Sequence, residues 1–167
     1  MLNSDKNMHT LSVYVSNKPG ALARIAQVFA RRAFNIESLV VSPAVDGHFS
    51  RMTISCSGDP QGLDQIIKQL SKLIDVLHCI DHTYDKSVMK EMGLIKIAVD
   101  SEGRSEALQI AEHYGCKTVD LTAQSMILQV VGNPEKIDAL EEMIAKFRII
   151  ELVRTGKVVM SRGQDAT

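Results

Sequence analysis

Tryptophan is absent from this chain of 167 residues, and aromatic residues make up only 4% of it. Sheets that bind RNA stack bases on exposed aromatic rings, so this scarcity disfavours an RNA-binding sheet. Long apolar runs are also missing. No run approaches the ~20 residues that span a bilayer, and the opening MLNSDKNMHT has no apolar signal core. We therefore expect a cytoplasmic protein without a membrane segment.

Cysteine is scarce, and charge of neither sign is in excess. Cys56, Cys79 and Cys116 are isolated and odd in number, which favours reduced thiols over a disulfide framework. The 19 basic residues are balanced by 20 acidic ones, whereas a nucleic-acid binder normally carries a basic face. The composition, 45% hydrophobic and 23% charged, is that of an ordinary soluble domain, and nucleic acid is disfavoured as a partner.

Local signatures of catalysis are absent as well. The sequence has no Gly-x-Ser-x-Gly elbow, no phosphate loop ending in Gly-Lys-Ser/Thr and no paired-cysteine zinc knuckle. The best metal candidate is His78-Cys79-x-x-His82, but on a strand Cys79 would point away from the histidines. Because zinc needs three or four convergent ligands, we predict no metal site and no catalytic residue.

What is present is a regular succession of strand and helix patterns. Alternating apolar and polar residues predict strands at 10–16, 35–42, 50–57 and 75–83. Apolar residues at helical spacing predict helices from 21 to about 33 and from 60 to about 73. The resulting order, β-α-β-β-α-β, is that of the ferredoxin-like unit.

The second half repeats this order. After a polar stretch at 82–87, a strand is predicted at 94–99, followed by a helix, a hairpin over 117–132, another helix and a closing strand at 149–153. We therefore predict an α+β protein of two consecutive ferredoxin-like βαββαβ domains, spanning residues 8–84 and 85–167.

The loop Asn17-Lys18-Pro19-Gly20-Ala21-Leu22 leads from the first strand into the first helix. The first turn of a helix presents unpaired N–H groups and a partial positive charge, so the amides of Gly20, Ala21 and Leu22 suit a carboxylate. Asn17 can both donate and accept a hydrogen bond, as an amino-acid ligand requires. The same residues also suit an ordinary turn in which Asn17 is a local cap, and the loop alone leaves both interpretations open.

A longer pattern surrounds this loop. Asn17-x-x-Gly20-Ala21-Leu22-x-Arg24, Phe34-Asn35-Ile36-Glu37-Ser38-Leu39 and Ser50-Arg51-Met52-Thr53-Ile54 together resemble the ACT domain of acetolactate synthase (acetohydroxyacid synthase) small subunits. The likeness continues through 68–76, and in the second half through 94–97, 119–122 and 154–163. The sequence is thus identified as a member of that family, with the first predicted domain as an ACT domain that binds an amino-acid effector.

The resemblance implies a regulatory subunit rather than an enzyme. Such a subunit binds the catalytic large subunit in branched-chain amino acid biosynthesis, raises its activity and confers feedback inhibition by valine. The large subunit would bind thiamine diphosphate, Mg²⁺ and FAD, and this chain would bind no cofactor. Two ACT domains would form a homodimer with the effector at their interface. The resemblance assigns Asn17, Gly20, Ala21 and Leu22 to the carboxylate and ammonium of the effector, and Asn35 and Ile36 to the rest of the pocket.

Two departures from the family pattern affect the expected ligand and its site. Ala33-Phe34 stands where Gly-Tyr is usual, and Lys18-Pro19 replaces a more usual acidic or small pair. Because Lys18 lies in the effector loop, the resemblance supports branched-chain amino acids as a class more firmly than valine itself.

The resemblance also leaves the partner surface and one other class of function open. Contact with the large subunit is expected at Arg51, at 69–73 and at Ser161-Arg162-Gly163, each of which also fits an ordinary solvated surface. The alternative function is a free-standing ACT sensor that acts on a different partner.

Overall fold

The computed structural model describes residues 7–167. Contacts divide the chain into two compact units: the first contains the described residues up to Val88 together with Gly156–Thr167, and the second contains Met89–Thr155. Segment 156–167 therefore groups with the first unit, whereas the domain span 85–167 drawn from the sequence includes it in the second.

The first unit has the βαββαβ order. Its elements are β1 (Met8–Ser16), α1 (Ala21–Arg31), β2 (Asn35–Pro43), β3 (Phe49–Ser57), α2 (Pro60–Leu70) and β4 (Val76–Asp81). The strands form an antiparallel sheet in the order β2-β3-β1-β4. This confirms the ferredoxin-like architecture expected from the sequence.

The core of the first unit lies between the sheet and its two helices. Leu11 and Val13 of β1 lie opposite Ile54 and Met52 of β3, so the apolar half of each strand faces the same side. Fully or nearly fully buried residues of α1 and α2 close the core from that side: Ile25, Phe29, Ile66 and Leu70. Burial of such side chains stabilises the fold by ~1.5–3 kcal/mol each, which fixes the register of the sheet.

The second unit repeats the architecture. Its elements are β5 (Val88–Ala98), α3 (Arg104–His113), β6 (Lys117–Leu121), β7 (Ser125–Gly132), α4 (Pro134–Ile144) and β8 (Arg148–Arg154). The strand order β6-β7-β5-β8 is equivalent to that of the first sheet. A separate core, with Ile95, Leu128 and Leu140 fully buried, shows that the two units do not share one hydrophobic interior.

Strand β5 begins six residues before the predicted start at 94. The prediction missed the first part of the strand because that part contains a buried charged residue. Glu91 is 6% exposed and accepts two hydrogen bonds from Arg154, at 2.8 and 3.0 Å. Arg154 also donates to Asp138 at 2.6 Å, and its bonds to Glu91 above all raise the pKa of the guanidinium. The ion pair joins residues 63 positions apart in the sequence. The start of β5 therefore lacks the apolar alternation from which a strand is predicted.

Segment 156–167 carries a short strand that the sequence pattern did not predict, β9 (Val158–Met160). The segment is attached to the first unit at two places. Arg51 donates a hydrogen bond of 2.9 Å to the Thr167 carbonyl, and Gly156 packs so closely on Ser38 that a Cβ there would lie 2.5 Å from the Ser38 Cβ. Among residues 7–167, no helix is long and apolar enough to cross a membrane.

Candidate functional site

The loop between β1 and α1 ends at a helix N-terminus that no side chain caps. Gly20 stands at the N-cap position with φ +83°, a left-handed conformation that glycine adopts without strain. Within the described chain, the amides of Gly20 and Leu22 have no hydrogen-bond partner, while the Ala21 amide donates to the Lys18 carbonyl at 3.3 Å. Two of the three predicted anion-binding amides are therefore available to a ligand.

Asn17 fixes this loop to the hairpin between β2 and β3. Its side-chain amide donates to the Gly47 carbonyl at 3.1 Å, and its backbone amide donates to the His48 carbonyl at 2.9 Å. Asn17 thus does not cap α1, contrary to the local-cap interpretation. Because its side-chain NH₂ group is used in this way, the oxygen of that side chain is the part suited to an ammonium group.

Arg24, one turn into α1, lies beside the free amides and forms an ion pair there. Its guanidinium donates to Asp75 through Nε at 2.8 Å and also through Nη2, and a Cβ on Gly20 would lie 3.1 Å from Nη1. The Asp75 carbonyl in turn accepts the Ser16 amide at 2.7 Å, just before the loop. The sequence pattern gave Arg24 no role, since its partner lies 51 residues away.

Asn35 and Ile36 lie at the opposite end of the same sheet. Asn35 begins β2 opposite Ser57, and Ser57 lies opposite Met8 at the start of β1. Nine residues at ~3.3 Å each separate that row from Asn17, which corresponds to roughly 30 Å. Within one chain the structure therefore brings Asn17, Gly20, Ala21 and Leu22 together, but not Asn35 and Ile36.

In the equivalent loop of the second unit, between β5 and α3, a side chain of the loop takes the amide of the N-cap glycine. Asp100 Oδ1 accepts the amide hydrogens of Glu102 and Gly103, at 3.1 and 2.8 Å. The Gly103 amide, the counterpart of the free Gly20 amide, is therefore not available to an external anion. The two units have the same fold, but they differ at this amide.

The predicted exclusion of a metal site rested on the strand geometry at 78–82. In the structure, His78 lies opposite Tyr14 and Cys79 lies opposite Val13, so the two side chains project to different faces of the sheet. Within residues 7–167, no group of three or more His, Cys, Asp or Glu side chains is placed to hold a metal ion.

His82 forms a buried hydrogen-bond chain that sequence reasoning missed. Its Nε2 lies 2.9 Å from Ser12 Oγ, and its Nδ1 lies 2.5 Å from Asp85 Oδ2 and 3.0 Å from Ser87 Oγ. Partial burial opposes ionisation of Asp85, but hydrogen bonds from Ser87 and His82 outweigh it and lower the Asp85 pKa.

The order Ser-His-Asp is that of a hydrolase triad. However, Ser12 and His82 are 1% exposed, so no substrate reaches the hydroxyl. The chain of hydrogen bonds instead ties the end of β4 to β1.

The fold and the loop place this chain in the class of two-domain ACT-type proteins, in which a ferredoxin-like unit presents a free helix N-terminus. A family model described as "AHAS small subunit-like ACT domain" matches residues 11–78, and another described as "Small subunit of acetolactate synthase" matches residues 90–163.

Known proteins with similar sequences and structures carry the same description. The acetolactate synthase small subunit of Mycolicibacterium smegmatis is 41% identical over 155 residues, covering 93% of this chain and 91% of that protein. A probable acetolactate synthase small subunit of Methanothermobacter thermautotrophicus is 40% identical over 164 residues, which cover 98% of each. The crystal structure of the small subunit from Thermotoga maritima superposes with a TM-score of 0.83 at 33% identity, covering 95% of this chain and 99% of that one. The chain therefore belongs to the family of acetolactate synthase small subunits, the regulatory subunits of that enzyme, as the sequence predicted.

Proposed function

We propose that this chain binds the catalytic large subunit of acetolactate synthase, raises its activity and makes it sensitive to a branched-chain amino acid, with valine as the first candidate. The names of its relatives as small subunits support a large-subunit partner. In this proposal the large subunit holds thiamine diphosphate, Mg²⁺ and FAD, and this chain holds no cofactor.

The observation that carries the effector site is the open N-terminus of α1. The free amides of Gly20 and Leu22 and the partial positive charge of the helix suit the effector carboxylate. The Arg24 guanidinium, paired with Asp75, lies next to Gly20. The Leu22 side chain, 43% exposed, offers an apolar contact for a branched aliphatic side chain.

A second copy of the chain completes the site in this proposal. Asn35 and Ile36 lie roughly 30 Å from the loop in their own chain at ~3.3 Å per strand residue, so they can reach an effector only on a partner protomer. They belong to β2, which is an edge strand of the first sheet. Edge strands carry unpaired backbone groups and are the part of a sheet that pairs with another chain.

In this proposal, inhibition arises because the effector has different affinities for two arrangements of the complex. An effector that bridges two protomers stabilises the paired arrangement in which its site is complete, and it shifts the complex only as far as its affinities for the two arrangements differ. Such couplings are typically ~1–3 kcal/mol, which corresponds to about 5- to 150-fold in affinity. Effector binding and loss of activation are therefore expected at the same concentration of valine.

The direct test is calorimetric titration of the purified chain with valine, compared with leucine, isoleucine and serine. We expect saturable binding of valine that Asn17→Ala abolishes. Asn133→Ala is the matched control, because Asn133 also precedes a helix, α4, but makes no side-chain cap bond and lies in the second unit. Reconstitution with the large subunit should then show that Asn17→Ala removes inhibition and preserves activation.

The outcomes distinguish effector sensing by the loop from activation of the large subunit. If Asn17→Ala removed activation together with inhibition, the loop would be structural rather than a sensor. If the chain bound valine but neither associated with the large subunit nor raised its activity, the free-standing sensor would replace the proposed function.

A further inference from the structure

A groove of about 660 Å³ lies on the helical side of the first unit, away from the β1–α1 loop. It is formed where the end of α1 and the chain that follows it meet α2. Val28, Phe34 and Leu73 provide apolar contacts, and Arg31, Arg32 and Lys72 are the cations that line it. We refer to it as the α1–α2 groove.

The cations of this groove are unpaired. Arg31, Arg32 and Lys72 are exposed, and no carboxylate of the described chain forms an ion pair or hydrogen bond with them. Other cations of the chain do have such partners: Arg24, Lys68, Lys96, Lys146 and Arg154. The groove therefore concentrates positive charge that the fold itself does not neutralise.

Asp59 is the acidic residue that lines the groove; its carboxylate caps α2 and offsets one of the three positive charges. Its Oδ1 accepts the Gly62 amide at 2.7 Å, at the N-terminus of α2. Arg31 in the last turn of α1 complements the dipole of that helix, which explains one cation. Arg32, the C-cap of α1, and Lys72, which follows the C-cap of α2, are also favoured at helix C-termini, but that preference does not require cations of two different helices to line one groove.

The groove has an apolar centre with a charged rim. Val28 is 7% exposed, and the Phe34 ring fits so closely over Gly58 and Gly62 that a Cβ on either would lie within 3 Å of it. This apolar centre with its polar rim is the anatomy of a protein–protein interface. Small-molecule sites are instead fixed by a few converging buried polar groups, whereas the charged groups here are all exposed.

We infer that the α1–α2 groove docks an acidic segment of a partner protein, one that places an apolar side chain over Phe34 and Leu73 and carboxylates against Arg31, Arg32 and Lys72. This inference rests on the proposed function, in which the partner is the large subunit of acetolactate synthase. The docking surface is distinct from the effector loop, so association and effector binding are separable.

The test is charge reversal in the full-length chain. Lys72→Glu and Arg32→Glu should each weaken binding to the large subunit by about tenfold, with a smaller dependence of affinity on salt than the unaltered chain shows. Lys68→Glu is the matched control: Lys68 lies one turn earlier on the same side of the sheet, pairs with Asp64 and does not line the groove. Affinity is measured by calorimetry at several salt concentrations, and valine binding and thermal unfolding are followed for every variant.

Support requires that the groove variants lose affinity for the large subunit while Lys68→Glu does not, with valine binding and melting temperature preserved in all three. Equal affinity of Lys72→Glu and the unaltered chain would overturn the groove and leave the proposed function standing. Binding of inorganic pyrophosphate that Lys72→Glu abolishes, with association intact, would instead assign the groove to a phosphate ligand. Failure of the unaltered chain to bind the large subunit would remove the proposed function and this inference with it.

Discussion

Phe34 has a glycine on each side of its ring, and this contact can be tested by adding one methyl group. A Cβ on Gly58 would lie 2.3 Å from Phe34 Cε1. We expect Gly58→Ala to lower the free energy of unfolding by about 1–3 kcal/mol, because overpacking forces the ring from its position. Urea denaturation with an unchanged m-value measures this loss.

The same substitution in a Phe34→Ala background provides the control. With the ring removed, Gly58→Ala should be neutral or stabilising by up to ~1 kcal/mol, because alanine restricts the unfolded chain more than glycine does. An equal loss in both backgrounds would mean that the backbone at Gly58, rather than Phe34, excludes a side chain.

The thiols allow a second prediction at the scale of single residues. Burial raises the pKa of Cys56 to about 11 and that of Cys79 to about 12, with a further contribution from the negative charge of Asp81. Only the thiolate reacts with iodoacetamide, so at pH 8 Cys56 should be labelled roughly 100-fold more slowly in the native chain than in urea. Mass spectrometry of labelled peptides measures the two rates.

An exposed reference thiol shows that iodoacetamide is active both with and without urea. Ser105→Cys introduces a cysteine at an exposed position in the first turn of α3, where the helix N-terminus favours the thiolate, so it should react at least as fast without urea as with it. Rapid native labelling of Cys56 would show that β3 opens readily, in conflict with its complete burial.

At the scale of elements, prediction from sequence succeeded where apolar side chains line one face of an element. The alternation of Leu11, Val13 and Val15 with polar residues placed β1 within two residues of its observed bounds, although the polar Ser12 is buried as well. The same logic failed for the start of β5, where Glu91 is buried by an ion pair, and for β9, whose three residues are too few to show a period.

The candidate site, too, was predicted from the sequence only in part. The loop at Asn17–Gly20 could be predicted because local chemistry at a helix N-terminus is visible in a few consecutive residues. The Arg24–Asp75 and Ser12–His82 contacts join residues 51 and 70 positions apart, and no local pattern connects them. Long-range polar contacts of this kind depend on the register of the sheet, which only the folded chain defines.

Comparison of the two β–α loops leads to a prediction about stoichiometry. The N-cap amide of α3, on Gly103, donates to Asp100, whereas the N-cap amide of α1, on Gly20, is free. We therefore expect calorimetry to find one valine per chain. Asp100→Ala should lower stability by about 1 kcal/mol, because the Glu102 and Gly103 amides lose their hydrogen bonds, and leave the stoichiometry at one.

Two valines per chain would contradict this prediction. So would an Asp100→Ala chain that gained a second site of similar affinity, because the Asp100 carboxylate would then be masking a functional pocket. Gly20→Ala is the complementary variant: a Cβ close to Arg24 and a left-handed backbone both oppose it, so it should abolish the single site.

At the scale of the whole assembly, the separation of Asn17 from Asn35 predicts complementation between two defective chains. In a dimer whose sites each combine the loop of one protomer with β2 of the other, Asn17→Ala and Asn35→Ala homodimers have no intact site. A mixed dimer of the two has one intact site and one doubly altered site. We expect co-expressed, differently tagged chains to bind valine at half the stoichiometry of the unaltered dimer.

The arrangement of the tags makes this experiment decisive. Sequential affinity steps isolate the mixed dimer, and each homodimer purified in the same way is the control. If the mixed dimer failed to bind valine while the unaltered dimer bound it, the effector site would not be shared between protomers in the proposed manner.

The return of segment 156–167 to the first unit has a consequence for the order in which the protein is made. Ribosomes release a chain from its N-terminus, so residues up to Val88 emerge before Met89–Thr155, and the residues that contact Ser38 and Arg51 are synthesised after both. The nascent first unit therefore lacks these contacts until translation has passed through the whole of the second. Synonymous codon changes that slow translation within 89–155 prolong this interval without altering a single amino acid.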